Sequence, residues 1–223
     1  MKLITYLGSF KLLPWTVGMW LVTLVSAVLA LVVAHLQESR SFAVFFKVVA
    51  SSSFIGLSLA AGMQFSPWGK TALAALALSW LGDVFLAAEG SAWFLAGLGS
   101  FLAAHLAFCS VFLQRGIVPH VAFGVLVPLA LISIFVVRKL VLRSGRFPRG
   151  PVYAYGLALS AMVALAAGTV AHAGNPAIFL AAVSFFVSDL SVARDTFVEK
   201  NPLNKVWGLP LYYTAQAIFA LSL

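Results

Sequence analysis

The sequence predicts an all-α membrane protein, a polytopic transmembrane bundle of about eight helices that makes a single transmembrane domain over residues 1–223 with no soluble domain. Three observations carry this. Hydrophobic residues make up 62% of the chain and charged ones only 9%, with a mean hydropathy of +1.04, too little polar surface for a water-soluble domain of this size. The apolar residues fall into repeated runs of about 20, the length that crosses a bilayer core of about 30 Å as a helix whose backbone groups satisfy one another. The charges sit mostly between those runs.

The runs place helices at about 15–35, 43–63, 70–88, 93–113, 117–137, 152–172, 176–193 and 206–222. The first follows Lys2 and Lys11, as a signal peptide would, but the stretch from about Trp15 to Ala34 exceeds a usual cleavable core and reads as a retained helix. Turn chemistry separates the rest: Gln37-Glu38-Ser39-Arg40, Ser66-Pro67-Trp68-Gly69, Glu89-Gly90-Ser91, Arg115-Gly116, the basic stretch Arg138 to Gly150, Gly174-Asn175-Pro176 and Glu199-Lys200-Asn201-Pro202. Connections this short make sequential helices antiparallel neighbours.

The formal charge of +8 does not point to nucleic acid, because the basic residues form no continuous patch with interleaved aromatics. They are topogenic charges and contacts for membrane lipids. The loops after helices 1, 3, 5 and 7 hold Arg40, Arg138, Lys139, Arg143, Arg146, Arg149, Arg194, Lys200 and Lys205, against Lys2, Lys11, Lys70 and Arg115 on the other side. The positive-inside rule then puts the odd loops in the cytoplasm. A bacterial inner membrane is expected for so compact a chain, or an ER-type membrane in a eukaryote. The single cysteine, Cys109, excludes an intrachain disulfide and a Cys-rich metal site.

An internal echo suggests a parallel repeat of four plus four helices. Trp80-Leu81-Gly82-Asp83-Val84-Phe85-Leu86-Ala87 parallels Phe186-Val187-Ser188-Asp189-Leu190-Ser191-Val192-Ala193, and Gly97-Leu98 with His105 eight residues after the glycine mirrors Gly208-Leu209 with Gln216. Chance similarity among apolar helices is the competing explanation.

Among six acidic residues, Glu38, Glu89, Asp195 and Glu199 lie at span ends, where a charge is solvated. Asp83 and Asp189 lie inside spans, where a carboxylate costs several kcal/mol unless protonated, paired or wetted, and so marks a functional site. Each precedes an acidic residue at its helix end by six positions, which puts both about 9 Å below the same face, at about 1.5 Å per residue. That face is the one assigned to the cytoplasm, and the depth is where the first bonds of a lipid tail lie. Two carboxyls in one cleft of low dielectric do not both ionise readily, so the pair offers a proton donor beside a carboxylate. Two unrelated packing aspartates are the alternative.

Lys47 in helix 2 either pairs with a carboxylate, receives a lipid phosphate or snorkels to the interface. His105, deep in helix 4, reads in isolation as a packing histidine, and no ligand spacing points to zinc or any other metal. Tyr153, Tyr155, Tyr212 and Tyr213 suit interfacial anchoring, whereas Gln216 is too deep for that and needs a partner. Ser51, Ser52 and Ser53 lack a Gly-x-Ser-x-Gly elbow and read as interhelical hydrogen bonders.

From about helix 2 to the end, the ordered set of Gly82-Asp83, Gly97-Leu98 with Ala104-His105-Leu106, Ser188-Asp189 with Ala193, Asp195 and Thr196-Phe197-Val198, and Tyr212-Tyr213-Thr214-Ala215-Gln216 with Ala220-Leu221-Ser222 resembles the YhhN-like lysoplasmalogenase family. The resemblance implies a multi-spanning hydrolase that cleaves the vinyl ether bond of lysophospholipids, releasing a fatty aldehyde and a glycerophospho-ethanolamine or -choline without cofactor or metal. It implies Asp83 and Asp189 as the catalytic pair. The family often carries Lys-Pro or Lys-Cys-x-Pro in helix 2, where this chain has Lys47-Val48. On this reading His105, Tyr155, Tyr212, Tyr213 and Gln216 line the site, and Lys47 or Arg194 receives the phosphate. The competing classes are a proton- or cation-coupled transporter using the same aspartates, against which the uninterrupted helices 3 and 7 argue, a zinc-dependent lipid amidase, and a purely structural membrane protein.

Overall fold

A computed structural model describes residues 14–144 and 148–223, with side chains described for 15–140 and 148–223. Among the described residues eight α-helices follow one another: α1 Pro14–Leu36, α2 Arg40–Ala60, α3 Gly69–Ala87, α4 Ser91–Arg115, α5 Pro119–Ser144, α6 Arg149–Ala173, α7 Pro176–Phe197 and α8 Pro202–Ser222, with a 3-10 turn, Met63–Phe65, between α2 and α3. Among the described residues, α1 to α7 are long and apolar enough to cross a membrane. The eighth expected span, α8, has 21 residues, about 32 Å at 1.5 Å per residue. It is less apolar because it carries Asn204, Lys205, Tyr212, Tyr213 and Gln216.

Most boundaries sit where the turn chemistry put them. Asn175 and Asn201 each cap a helix that opens on proline, accepting from the backbone N–H of Ala177 (3.2 Å) and Leu203 (2.9 Å). The basic stretch Arg138 to Gly150, expected as a loop, is mostly helix: α5 continues to Ser144 and α6 starts at Arg149. No Gly or Pro interrupts residues 138–144, so the helix runs on beyond the hydrocarbon core. Similarly, α7 continues past 193 and carries Arg194 and Asp195. Of the charges that set the expected orientation, Lys2, Lys11 and Arg146 lie outside the described residues, as does the Arg143 side chain.

Consecutive helices pack on each other except α4 and α5, which barely touch, and the pairings repeat. α1 lies on α2 as α5 lies on α6, α2 on α3 as α6 on α7, and α3 on α4 as α7 on α8; α4 meets α6 as α8 meets α2. Shifting by four helices therefore maps these contacts onto themselves, in the manner of the expected parallel repeat, while the packing of α1 on α8 has no counterpart between α5 and α4. The detail agrees, since a Cβ at Gly97 would lie 3.4 Å from the Gly82 carbonyl and one at Gly208 3.6 Å from the Ser188 carbonyl. In both halves a glycine rests on the residue just before the aspartate.

The core between the halves contains Phe54, Phe108, Phe112, Phe185, Phe219 and Tyr213, all fully buried, with Phe108 and Phe219 centroids 4.5 Å apart. Large apolar side chains such as Met19, Val22, Phe123, Leu131 and Leu180 face outward. In lipid this surface needs no cover.

Close approach at the small residues is testable. An added Cβ at Gly208 would meet Ser191 Oγ at 1.8 Å and its Cβ at 2.6 Å, whereas one at Gly124 meets nothing within 4 Å. Gly208→Ala is expected to destabilise the protein by about 1–3 kcal/mol through overpacking, and Gly124→Ala to leave it unchanged. Thermal unfolding in detergent checks both.

Candidate functional site

The two intramembrane aspartates reach one cavity, and different helices surround each. On α2, Lys47 and Ser51 are one turn apart and so share a helix face. Both turn to Asp83 on α3. Ser51 Oγ donates to Asp83 Oδ2 at 2.6 Å, and Lys47 Nζ lies 3.4 Å from Oδ1. From α8, the Tyr212 hydroxyl donates to the same Oδ2 at 2.7 Å. Behind these groups, Gln216 Nε2 donates to the Tyr212 oxygen at 3.1 Å, and Tyr213 lies 3.1 Å from Ser51 Oγ. Because the Ser51 proton is directed at Asp83, the Tyr213 hydroxyl donates either to Ser51 or to the Lys47 carbonyl, 3.4 Å away.

Asp189 on α7 has a sparser setting. Tyr155 of α6 donates to its Oδ2 at 2.7 Å, and His105 Nε2 of α4 is 3.7 Å from that oxygen. No protein donor reaches Oδ1 among the described residues. His105 is fully buried, its ring held edge-on against Phe185 and Tyr155 at centroid distances of 4.9 and 5.1 Å. Neither ring nitrogen has a hydrogen-bond partner among the described residues. Buried polar groups are normally satisfied, so an imidazole left in this state beside a carboxyl is unusual.

The shared cavity has a volume of about 660 Å³ and is walled by Lys47, Asp83, Tyr155, Asp189 and Tyr212, with Leu98 and Phe101 among its apolar lining. It opens past Glu89 and Lys200, on the side that carries the loops after α1, α3 and α7. The acidic pair thus sits below one end of the bundle, at the bottom of a pocket with an apolar flank.

Three expected site residues stand one layer back: His105, Tyr213 and Gln216 do not line the cavity but support the residues that do. Arg194 is exposed on α7 and is not on the cavity wall. The extra helical turn carries its side chain away from the opening, and Lys200 and Lys205 line the mouth instead. Ser51 bonds between helices as expected, though its partner is an aspartate. Its spacing four residues after Lys47 was the available signal. Asp195, expected to be a solvated end charge, is a half-buried hub. It pairs with Lys205 Nζ at 3.1 Å and accepts from the Asn201 N–H at 3.2 Å and Asn204 Nδ2 at 3.3 Å. Among the described residues, no three His, Cys, Asp or Glu side chains converge as a metal-ligand set.

The model of the YhhN family matches residues 42–223, from the third residue of α2 onward. No curated protein and no solved structure matches the chain.

The hydrogen bonds separate structural from functional polarity. Tyr212→Phe removes a donor that Asp83 uses and an acceptor that Gln216 uses, and is expected to cost about 1–3 kcal/mol. His105→Leu removes ring nitrogens without partners and is expected to leave stability unchanged or raised. Denaturation of the two purified variants beside wild type checks the contrast.

Proposed function

The chain belongs to the YhhN family, and from that premise and the geometry above we propose that it hydrolyses the vinyl ether bond of lysoplasmalogens to a fatty aldehyde and a glycerophospho-base. The observation that carries the reading is the pair of aspartates on one cavity in unequal surroundings. A vinyl ether is cleaved by protonation of its outer alkene carbon, with no need for a serine nucleophile or a metal. The resulting oxocarbenium ion is captured by water, and the hemiacetal collapses to aldehyde and alcohol. One water is consumed, and the proton taken from the acid is returned when the water oxygen is deprotonated.

The surroundings support a division of labour. Asp83 receives two hydroxyl donors and faces an ammonium, a setting that holds an acceptor-only carboxylate. It stabilises the developing cation and orients the attacking water, as paired carboxyls do at a glycosidic centre. Asp189 has its Oδ1 free of protein donors, and a proton carried there faces the substrate. Tyr155 fixes the other oxygen, and His105 lies close enough to take up or return a proton after a small movement. The apolar flank at Leu98 and Phe101 suits an alkenyl chain, and the depth of the pair suits the first bonds of that chain.

Detergent-purified protein is expected to release aldehyde from a lysoplasmalogen. Folded Asp83→Asn and Asp189→Asn variants are expected to lose turnover by about 10²-fold or more, the size of a general acid–base contribution. Absence of aldehyde across lipids and pH values would overturn the reading, and substrate flux in liposomes without a chemical product would replace it with transport.

A further inference from the structure

Beside the catalytic cavity lies a shallower one of about 530 Å³, bounded by the α1–α2 turn, the end of α3 and the start of α8. The two share Lys47, Asp195, Lys200, Lys205 and Leu209 in their walls, so they are lobes of one space. They meet at the Lys205–Asp195 pair. The shallow lobe is lined by charges of both signs, and most are already committed: Arg40 to Glu89 at 3.2 Å, Lys205 to Asp195 at 3.1 Å and Lys47 to Asp83 at 3.4 Å. Two are not. Lys200, in the α7–α8 turn, and Glu38, in the α1–α2 turn, line the lobe and form no ion pair among the described residues.

A lobe that offers one uncommitted cation and one uncommitted anion fits a ligand carrying both charges. We propose that the shallow lobe is the headgroup subsite, in which Lys200, beside Lys205, takes a phosphodiester and Glu38 takes the ammonium group attached to it. The inference rests on the reading of the deep lobe as the seat of a lysolipid's vinyl ether. Lys47, at the foot of both lobes and 3.4 Å from Asp83, marks where the three-carbon glycerol passes from one to the other. Lys200 and Lys205, rather than Arg194, then take the phosphate. Glu38 is held by the turn that closes α1: the Ser39 N–H donates to the Ala34 carbonyl at 2.9 Å and the Glu38 N–H to the His35 carbonyl at 3.2 Å, a Schellman arrangement that sets its φ at 56° and fixes where its side chain leaves the backbone.

The test uses the intact protein in nanodiscs and lipids that cannot be hydrolysed. A saturated 1-O-alkyl lysophosphoethanolamine is titrated beside the corresponding phosphoglycerol lipid, which has the diester without the amine, and beside 1-O-alkylglycerol, which has neither. Wild type is expected to bind them in that order of decreasing affinity. Glu38→Gln removes the charge, and Glu38→Gly removes it while relaxing the backbone. Both are expected to erase the preference for the amine, about three- to fivefold, the range of a partly exposed ion pair. Lys200→Gln is expected to erase the preference of the phosphoglycerol lipid over alkylglycerol by a similar factor, and Lys200→Arg to keep it. Alkylglycerol binding as tightly as the zwitterion, or both Glu38 variants keeping the amine preference, would overturn the subsite. Soluble phosphoethanolamine that competes with the zwitterionic lipid supports it. The soluble ester binding without displacing the lipid would assign the lobe to a soluble phosphate ester and overturn the proposal. Because these lipids lack the alkene, loss of the headgroup order and loss of aldehyde release are separate failures.

Discussion

A carboxylate in a bundle that excludes water must find its donors on other helices, and most of the interior follows from that constraint. A helix uses its own backbone donors for its own hydrogen bonds, so an acidic side chain at mid-depth draws in side chains from its neighbours. Asp83 joins α3 to α2 through Ser51 and Lys47 and to α8 through Tyr212. Asp189 joins α7 to α6 through Tyr155 and faces α4 through His105. Buried charge pairs contribute little net stability, but removing one partner leaves the other uncompensated. These contacts therefore specify which helices meet more than they strengthen the meeting.

The repeated helix pairing explains why there are two aspartates and why they share a cavity. Each half places an acidic residue on the wall of the cavity, with a glycine of the next helix packed on the residue before it. The first two of those helices, α3 and α4, then face α7 and α8 around a common space. The partners break the symmetry. Where Asp83 meets an ammonium and two hydroxyls, Asp189 meets one hydroxyl and an imidazole without hydrogen bonds. Where His105 stands on α4, Gln216 stands on α8 and satisfies a tyrosine instead of an acid. Two like sites with unlike neighbours are what acid–base chemistry requires, because the donor and the carboxylate must differ in protonation at one pH.

The organisation of the opening follows from helix ends. Short turns after α1, α3 and α7 bring charged residues of both signs to one end of the bundle, and the Asp195 hub holds the start of α8 against the end of α7. Apolar lining continues inward from that charged rim toward the aspartates. The gradient from ionic mouth to apolar depth matches an amphiphile oriented as it is in a membrane, which would enter without inverting its polarity.

The sequence by itself determined the helices, their approximate limits and the two acidic residues that demand explanation. Apolar runs of spanning length, turn residues and buried charge are local properties with large energies in lipid. It also carried the echo between the halves and the resemblance to a family. Only the tertiary structure decided what each polar residue does, because that depends on rotation about the helix axis and on which helix stands opposite. His105, Tyr213 and Gln216 are separated from the cavity by a single layer of side chains, a distinction that periodicity in almost wholly apolar helices cannot register. Arg194 and Lys200 are six residues apart, yet one faces away from the opening and the other lines it, because α7 continues to Phe197 and the chain turns after it. The unequal surroundings of Asp83 and Asp189 arise from contacts between residues as far apart as 129 positions, and the fold alone brings those together.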